Sequence, residues 1–195
     1  MRGYFFTCNW FEVYDFLEVV LSFKKSGKNN DQFEKQLNTF LESELSTYRF
    51  IDGVCTDITT ENEIDEVKEA LEVGPFEGAQ NHLKRALELL YDREKPDFRN
   101  SIKESISAVE SAARSITGKP KANLSNLIPL LESQHNLHPV LKEALTKLYG
   151  YTSDEGGIRH AMMESPNLTA ADARFFVISC SAFINYLKAN LQDSK

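Results

Sequence analysis

Apolar positions recur at three- and four-residue steps over most of the chain and change period only once. Over 10–23, Trp10, Val13, Tyr14, Leu17, Val20 and Leu21 fall on one helical face, with Glu12, Asp15 and Glu18 elsewhere. A polar, glycine-containing break at 24–30 precedes a second predicted helix over 31–45, whose stripe is Phe33, Leu37, Phe40 and Leu41. The period then shifts. Tyr48-Arg-Phe-Ile, Asp52-Gly53 and Val54-Cys-Thr-Asp-Ile predict a short β-hairpin, because Asp-Gly suits a tight turn with positive φ. Thr60 followed by Glu63 is a capping-box pattern that opens a helix running to about 73, where Gly74-Pro75 ends it.

From Phe76 onward the pattern is helical. Residues 76–93 carry Phe76, Ala79, Leu83, Ala86, Leu87, Leu90 and Tyr91 at helical steps, and Pro96 heads a helix over 97–117. That helix has a core stripe of Ile102, Ile106, Val109, Ala113 and Ile116. Beside it runs a line of small residues, Ser101, Ser105, Ala108, Ala112 and Ser115, which predicts a close helix contact or a dimer contact. Gly118 and Pro120 stop it. Shorter helices are predicted over 123–134 and 138–149, and a last one over 169–190 is apolar on most sides, as befits the middle of a bundle. The predicted fold is therefore mainly α. A helical bundle over 75–195 is preceded by a smaller helical segment with a short β-hairpin over 1–74, and the boundary near Gly74-Pro75 is soft.

Composition narrows the class. Apolar residues at 42% and charged residues at 26% in 195 residues describe a globular chain with room for one sizeable core. A net charge of −7 argues against avid non-specific nucleic-acid binding, though not against a local basic pocket. Three widely spaced cysteines, Cys8, Cys55 and Cys180, fit no metal-ligand spacing and point to a reducing cytoplasm. Glu12, Asp15 and Glu18 interrupt the apolar start, which excludes a signal-peptide reading, and no run reaches membrane-span length.

Candidate chemistry concentrates between Tyr149 and Met162, where Ser, Asp, Glu, three Gly, an Arg and a His join two apolar helical segments. The histidines lack the i, i+4 spacing of a helical metal pair, so no metal and no cofactor is expected. Gly156-Gly157 is too short for a phosphate loop. General acid–base work by His160 fits imidazole at neutral pH, and Arg159 is a candidate phosphate ligand. An ordinary structural role stands beside this: Arg159 pairing with Asp154 or Glu155, and His160 capping a helix. Adjacent residues in a regular helix diverge by about 100°, so only a turn at Gly156-Gly157 or a second subunit brings the two together. Asn100, Ser101, Glu104 and Ser105 form a polar concentration at a helix start. They read either as capping or as a surface that faces the 149–162 stretch and orients its His or Arg. Tyr151 is counted with Asn100, Ser101 and Glu104 as a supporting residue.

Three passages together carry a resemblance. They are Pro96-Asp-Phe-Arg-Asn-Ser-Ile-Lys-Glu-Ser-Ile-Ser-Ala-Val-Glu110, Tyr149-Gly-Tyr-Thr-Ser-Asp-Glu-Gly-Gly-Ile-Arg-His160, and Ala173-Arg-Phe-Phe through Cys180-Ser-Ala-Phe-Ile. The chain resembles AbiJ-type abortive-infection proteins of bacteria, whose C-terminal half is a HEPN-like helical bundle. Its first part, including Tyr48-Arg-Phe-Ile, resembles the family's N-terminal region in a form shorter at its start. The resemblance implies phage defence and a metal-independent endoribonuclease acting as a homodimer. RNA and a partner protein or antitoxin are the other partners to consider, with no membrane. HEPN nucleases use an Arg separated from a His by four to six residues, ahead of the last bundle helix. His160 stands at the His position, while the Arg position falls among Ser153, Asp154 and Glu155. Asp154 corresponds to the polar residue after the motif Arg and Gly157 to its glycine, with Arg159 out of register. An acidic group where a phosphate binds repels it, so a catalytically degenerate domain that binds RNA, a nucleotide or a protein is the alternative.

Overall fold

The computed structural model describes residues 7–23, 29–72, 74–135, 137–153 and 168–192. Among them the chain is mainly helical, with eight helices and one two-stranded antiparallel hairpin, as the periodicity predicts. It divides into two compact units, Met1–Ile64 and Asp65–Lys195. The first holds α1 (Trp10–Phe23), α2 (Asn29–Ser43), β1 (Arg49–Ile51) and β2 (Val54–Thr56). α3 (Glu61–Leu71) crosses the dividing line. The second unit continues with α4 (Glu77–Leu90), α5 (Phe98–Thr117), α6 (Leu124–His135), α7 (Pro139–Ser153) and α8 (Ala170–Gln192).

The hairpin follows from its turn. Asp52 and Gly53 take φ of 49° and 81°, the left-handed conformation at both central positions that a type I′ turn requires. The register pairs Ile51 with Val54, Phe50 with Cys55 and Arg49 with Thr56. Pairing alternates along such a ribbon, so the backbone groups of Phe50 and Cys55 point away from the partner strand. Helix side chains meet them. The Asn38 amide of α2 accepts from the Phe50 N–H at 2.7 Å and donates to the Phe50 carbonyl at 2.8 Å, much as another strand would. Glu18 of α1 accepts from the Cys55 N–H at 2.7 Å, and the buried Glu34 carboxylate takes the Gly53 N–H at 2.8 Å.

Beneath the hairpin, Leu21, Leu41, Phe50 and Cys55 are buried, with Tyr14, Leu17, Phe33, Leu37 and Tyr48 packed against them. Fully burying a side chain such as Leu21 or Phe50 contributes about 1.5–3 kcal/mol. Two details differ from the sequence pattern. Glu18 belongs to the inner side of α1, because it serves a β2 donor rather than solvent. Its burial pushes the carboxyl above the usual range, partly offset by the Cys55 N–H. Phe40 lies at the far edge of its stripe and is 60% exposed.

In the second unit α5 is the axis, packed against α4, α6 and α8. Its small-residue line is buried from Ser101 through Ala112, and only Ser115 at the far end is exposed. The close approach is visible at Gly78 of α4, where a Cβ would lie 2.5 Å from the Ser111 hydroxyl oxygen. The contact predicted along that line is thus used within the chain, by α4. On the other side, Ile102, Ile106 and Val109 join Phe176, Val177, Cys180 and Ile184 of α8 in the core.

Polar side chains secure the ends of these helices. Glu110 pairs with Arg114 at 2.6 Å and also accepts from the Leu124 N–H at 2.9 Å, while Arg114 donates to the Ala122 carbonyl at 2.8 Å. The pair therefore ties the α5–α6 connection as well as forming a helical ion pair. Thr169 and Asp172 make a reciprocal capping box at the start of α8, with the Asp172 carboxylate held low by the Thr169 hydroxyl and backbone N–H. Further along α8, Asn185 donates to the Glu66 carbonyl at 2.8 Å, and Lys188 donates to the carbonyls of Glu69 and Ala70.

Asn38→Ala should cost about 2–4 kcal/mol in urea unfolding, since it deprives both a buried donor and a buried acceptor of Phe50. Asn38→Asp should be similarly costly at neutral pH and recover as pH falls. The protonated carboxyl regains a donor for the Phe50 carbonyl, so its folded-state pKa is raised and the stability it provides lies on the acid side. A wild-type-like unfolding midpoint in either variant at neutral pH would contradict the bridging role.

Candidate functional site

The sequence-derived site has two parts, and the structure describes one. Asp154, Arg159 and His160 lie outside the described residues, while Asn100, Ser101, Glu104 and Tyr151 lie inside them. The boundary of the candidate stretch also moves. Tyr149 through Ser153 form the last turn of α7 rather than a loop, so the connection to α8 begins later than the pattern indicates. The Tyr151 ring stacks on Phe176 of α8, with centroids 5.6 Å apart and planes at 15°, and remains 50% exposed. That contact gives α7 a reason to continue past Gly150, whose helical cost is about 1 kcal/mol.

The polar start of α5 resolves into three distinct roles. Asp97 is the N-cap: its carboxylate accepts from the Asn100 N–H at 3.0 Å and from the Asn100 side-chain amide at 2.6 Å. Burial alone would push the Asp97 carboxyl up. The Asn100 donors, with Arg99 and Lys95 nearby, outweigh it and hold the group below the usual carboxylate range. Asn100 itself is exposed and committed to this cap. Ser101 is fully buried, its hydroxyl donating to the Ala86 carbonyl at 2.8 Å, where it supports the α4–α5 contact.

Glu104 is the third. Its carboxylate sits 2.6 Å from Nδ1 of His82 on α4, and the two side chains are 22% and 44% exposed. A carboxylate on one ring nitrogen orients an imidazole and leaves proton exchange to the other. The sequence pattern offers Glu104 as one of the groups that orient the His or Arg of the 149–162 stretch; among the described residues the imidazole it meets is that of His82. Antiparallel packing explains the pairing, because Gly78 lies opposite Ser111, His82 opposite Glu104, and Ala86 opposite Ser101. The signal for His82 was available in the sequence only to a reading that first paired α4 with α5 in this register.

The basic residues near this face, Arg85, Arg93, Lys95, Arg99 and Lys103, are exposed, and Arg85 pairs with Glu88 at 3.0 Å. Among the described residues no group of three or more His, Cys, Asp or Glu side chains is gathered so as to hold a metal ion. Nor is any helix among them long and apolar enough to cross a membrane. Two thiols are chemically quiet. Burial pushes Cys55 up to about 12, with the Glu18 charge adding to it, and burial alone pushes Cys180 to about 12.

Comparison with known proteins bears on the first part of the chain. Residues 1–73 match the family model described as AbiJ N-terminal domain 4. The AbiJ-type match thus covers α1, α2, the hairpin and α3, and ends before α4 begins. No curated protein and no solved structure matches the chain.

Asp97→Ala should destabilise the second unit by about 0.5–2 kcal/mol at neutral pH, the usual worth of an N-cap. The Asp97 pKa is depressed on folding, so the electrostatic part of this contribution is present above the unfolded-state value and is lost as pH falls through the folded one. Unfolding curves of the two proteins should therefore converge toward acid pH. A difference that stays constant from neutral to acid pH would assign the effect to packing instead.

Proposed function

We propose that this chain is an abortive-infection protein of the AbiJ type whose second unit is a HEPN-like bundle acting on RNA as a homodimer. The match of residues 1–73 to AbiJ N-terminal domain 4 is the observation that carries the defence reading. The bundle reading is supported by α5 and α8 packing as central helices, with the His160 stretch in the sequence just ahead of α8.

In the cleavage that such a site performs, His160 takes the proton of a ribose 2′-hydroxyl, whose oxygen attacks the adjacent phosphorus. The 5′-oxygen leaves with a proton from a second acid, and the imidazole of the other copy supplies that acid in a two-fold site. Arg159 holds the phosphate by charge-assisted hydrogen bonds. No metal takes part in this scheme. A second reading is favoured by one specific observation: Ser153, Asp154 and Glu155 occupy the place of the motif Arg, and none is basic. In that reading the bundle binds RNA, a nucleotide or a protein and does not cut.

Purified chain incubated with total RNA, without added divalent metal, should yield fragments that a His160→Ala variant fails to produce by about a hundredfold or more. The same variant should lose protection in a phage-plating assay. Equal RNA patterns with retained protection would remove the cleavage reading and leave the binding one. Absence of any protection by the wild-type chain would remove the defence reading. A solution mass equal to one chain would count against the shared two-fold site.

A further inference from the structure

We propose that the second unit contains a binding pocket for a compact, neutral, apolar molecule of one or two rings, lined by α5, α6, α7 and α8. The cavity has a volume of about 140 Å³. Val109, Leu145, Leu148, Phe176 and Phe183 form much of its wall, and among the described lining residues the polar side-chain groups are the Ser179 hydroxyl and the Cys180 thiol. The thiol, pushed to about 12 by burial, is protonated and uncharged at neutral pH. Leu141 lines the cavity while remaining 40% exposed, which gives it a route to solvent.

Size and lining together select the ligand. Pockets for drug-sized ligands run to roughly 300–1,000 Å³, and a nucleotide would also bring charges that the described wall does not pair. An apolar cavity of about 150 Å³ lined by similar side chains stays dry and accepts benzene. An unfilled void of this kind also costs stability in proportion to its volume, so a ligand that fills it binds the folded chain and stabilises it by mass action. The pocket stands apart from the described part of the sequence-derived site, since none of Asn100, Ser101, Glu104 and Tyr151 lines it.

The test uses the intact chain with benzene and indole as probes, and benzoate as a charged control. Melting temperature should rise saturably with benzene or indole and not with benzoate. Methyl resonances of Leu141, Leu145 and Leu148 should shift with the same midpoint. Val109→Phe, which fills the cavity from α5, should weaken binding by about tenfold or more, a loss of about 1.4 kcal/mol. Should that variant fail to fold, Cys180→Met adds a flexible, unbranched side chain from α8 and should weaken binding in the same direction. No saturable response in the wild-type chain would overturn the proposal. So would undiminished binding in a folded filling variant, or a benzoate response equal to that of benzene.

Discussion

Close approach of α4 to α5 is the constraint around which the second unit is arranged. Two helices come this near only where side chains are small, and α5 supplies Ser101, Ser105, Ala108 and Ala112 on the buried side that Gly78 and Ala86 of α4 approach. The choice fixes the register between the helices, and with it the meeting of His82 and Glu104. It also assigns the opposite side of α5 to bulkier residues, so that Ile102, Ile106 and Val109 are left to build the core with α8. Where α7 closes over the end of that core, the fit is looser and a cavity of about 140 Å³ remains. Tight packing on one side of a helix and a vacancy near the other are both consequences of how α5 distributes small and branched side chains.

Polar side chains play a comparable part wherever the backbone runs out of regular partners. Buried N–H and C=O groups left unpaired are costly, so each break in a ladder or helix needs a donor or acceptor from elsewhere. Asn38, Glu18 and Glu34 serve the hairpin, Glu110 and Arg114 serve the α5–α6 connection, and Asn185 and Lys188 serve carbonyls of α3. Among the described residues one buried side-chain atom lacks a partner, the Asn185 oxygen, whose amide is turned so that its nitrogen reaches Glu66.

The sequence carried the elements better than it carried these contacts. Apolar periodicity located every described helix to within a few residues, and Asp52-Gly53 located the hairpin, because both signals are local. Glu18 and Asn38 were not legible as hairpin partners, since nothing local distinguishes a carboxylate facing water from one facing a strand thirty-seven residues away. The pattern ends α7 at 149, whereas the Tyr151–Phe176 stack draws it onward to Ser153. Of the candidate site, Asn100 and Ser101 were legible as residues with a purpose but not as to which one: capping in the first case, helix packing in the second. Glu104 was legible as a polar residue at the helix start, but its contact with His82 on α4 depends on a tertiary register. Asp154, Arg159 and His160 rest on motif spacing alone.

The treatment of the hairpin has a consequence for recognition. A bare two-stranded ribbon offers its outer backbone as a template on which a foreign strand can grow, the usual route to strand-swapped partners and to aggregation. Here the outward groups of Phe50 and the outward N–H of Cys55 are already spoken for by α2 and α1. A molecule that approaches the hairpin finds those main-chain groups taken and meets side-chain chemistry instead, such as the aromatic ring of Trp10 that stacks on Tyr48 yet stays 63% exposed.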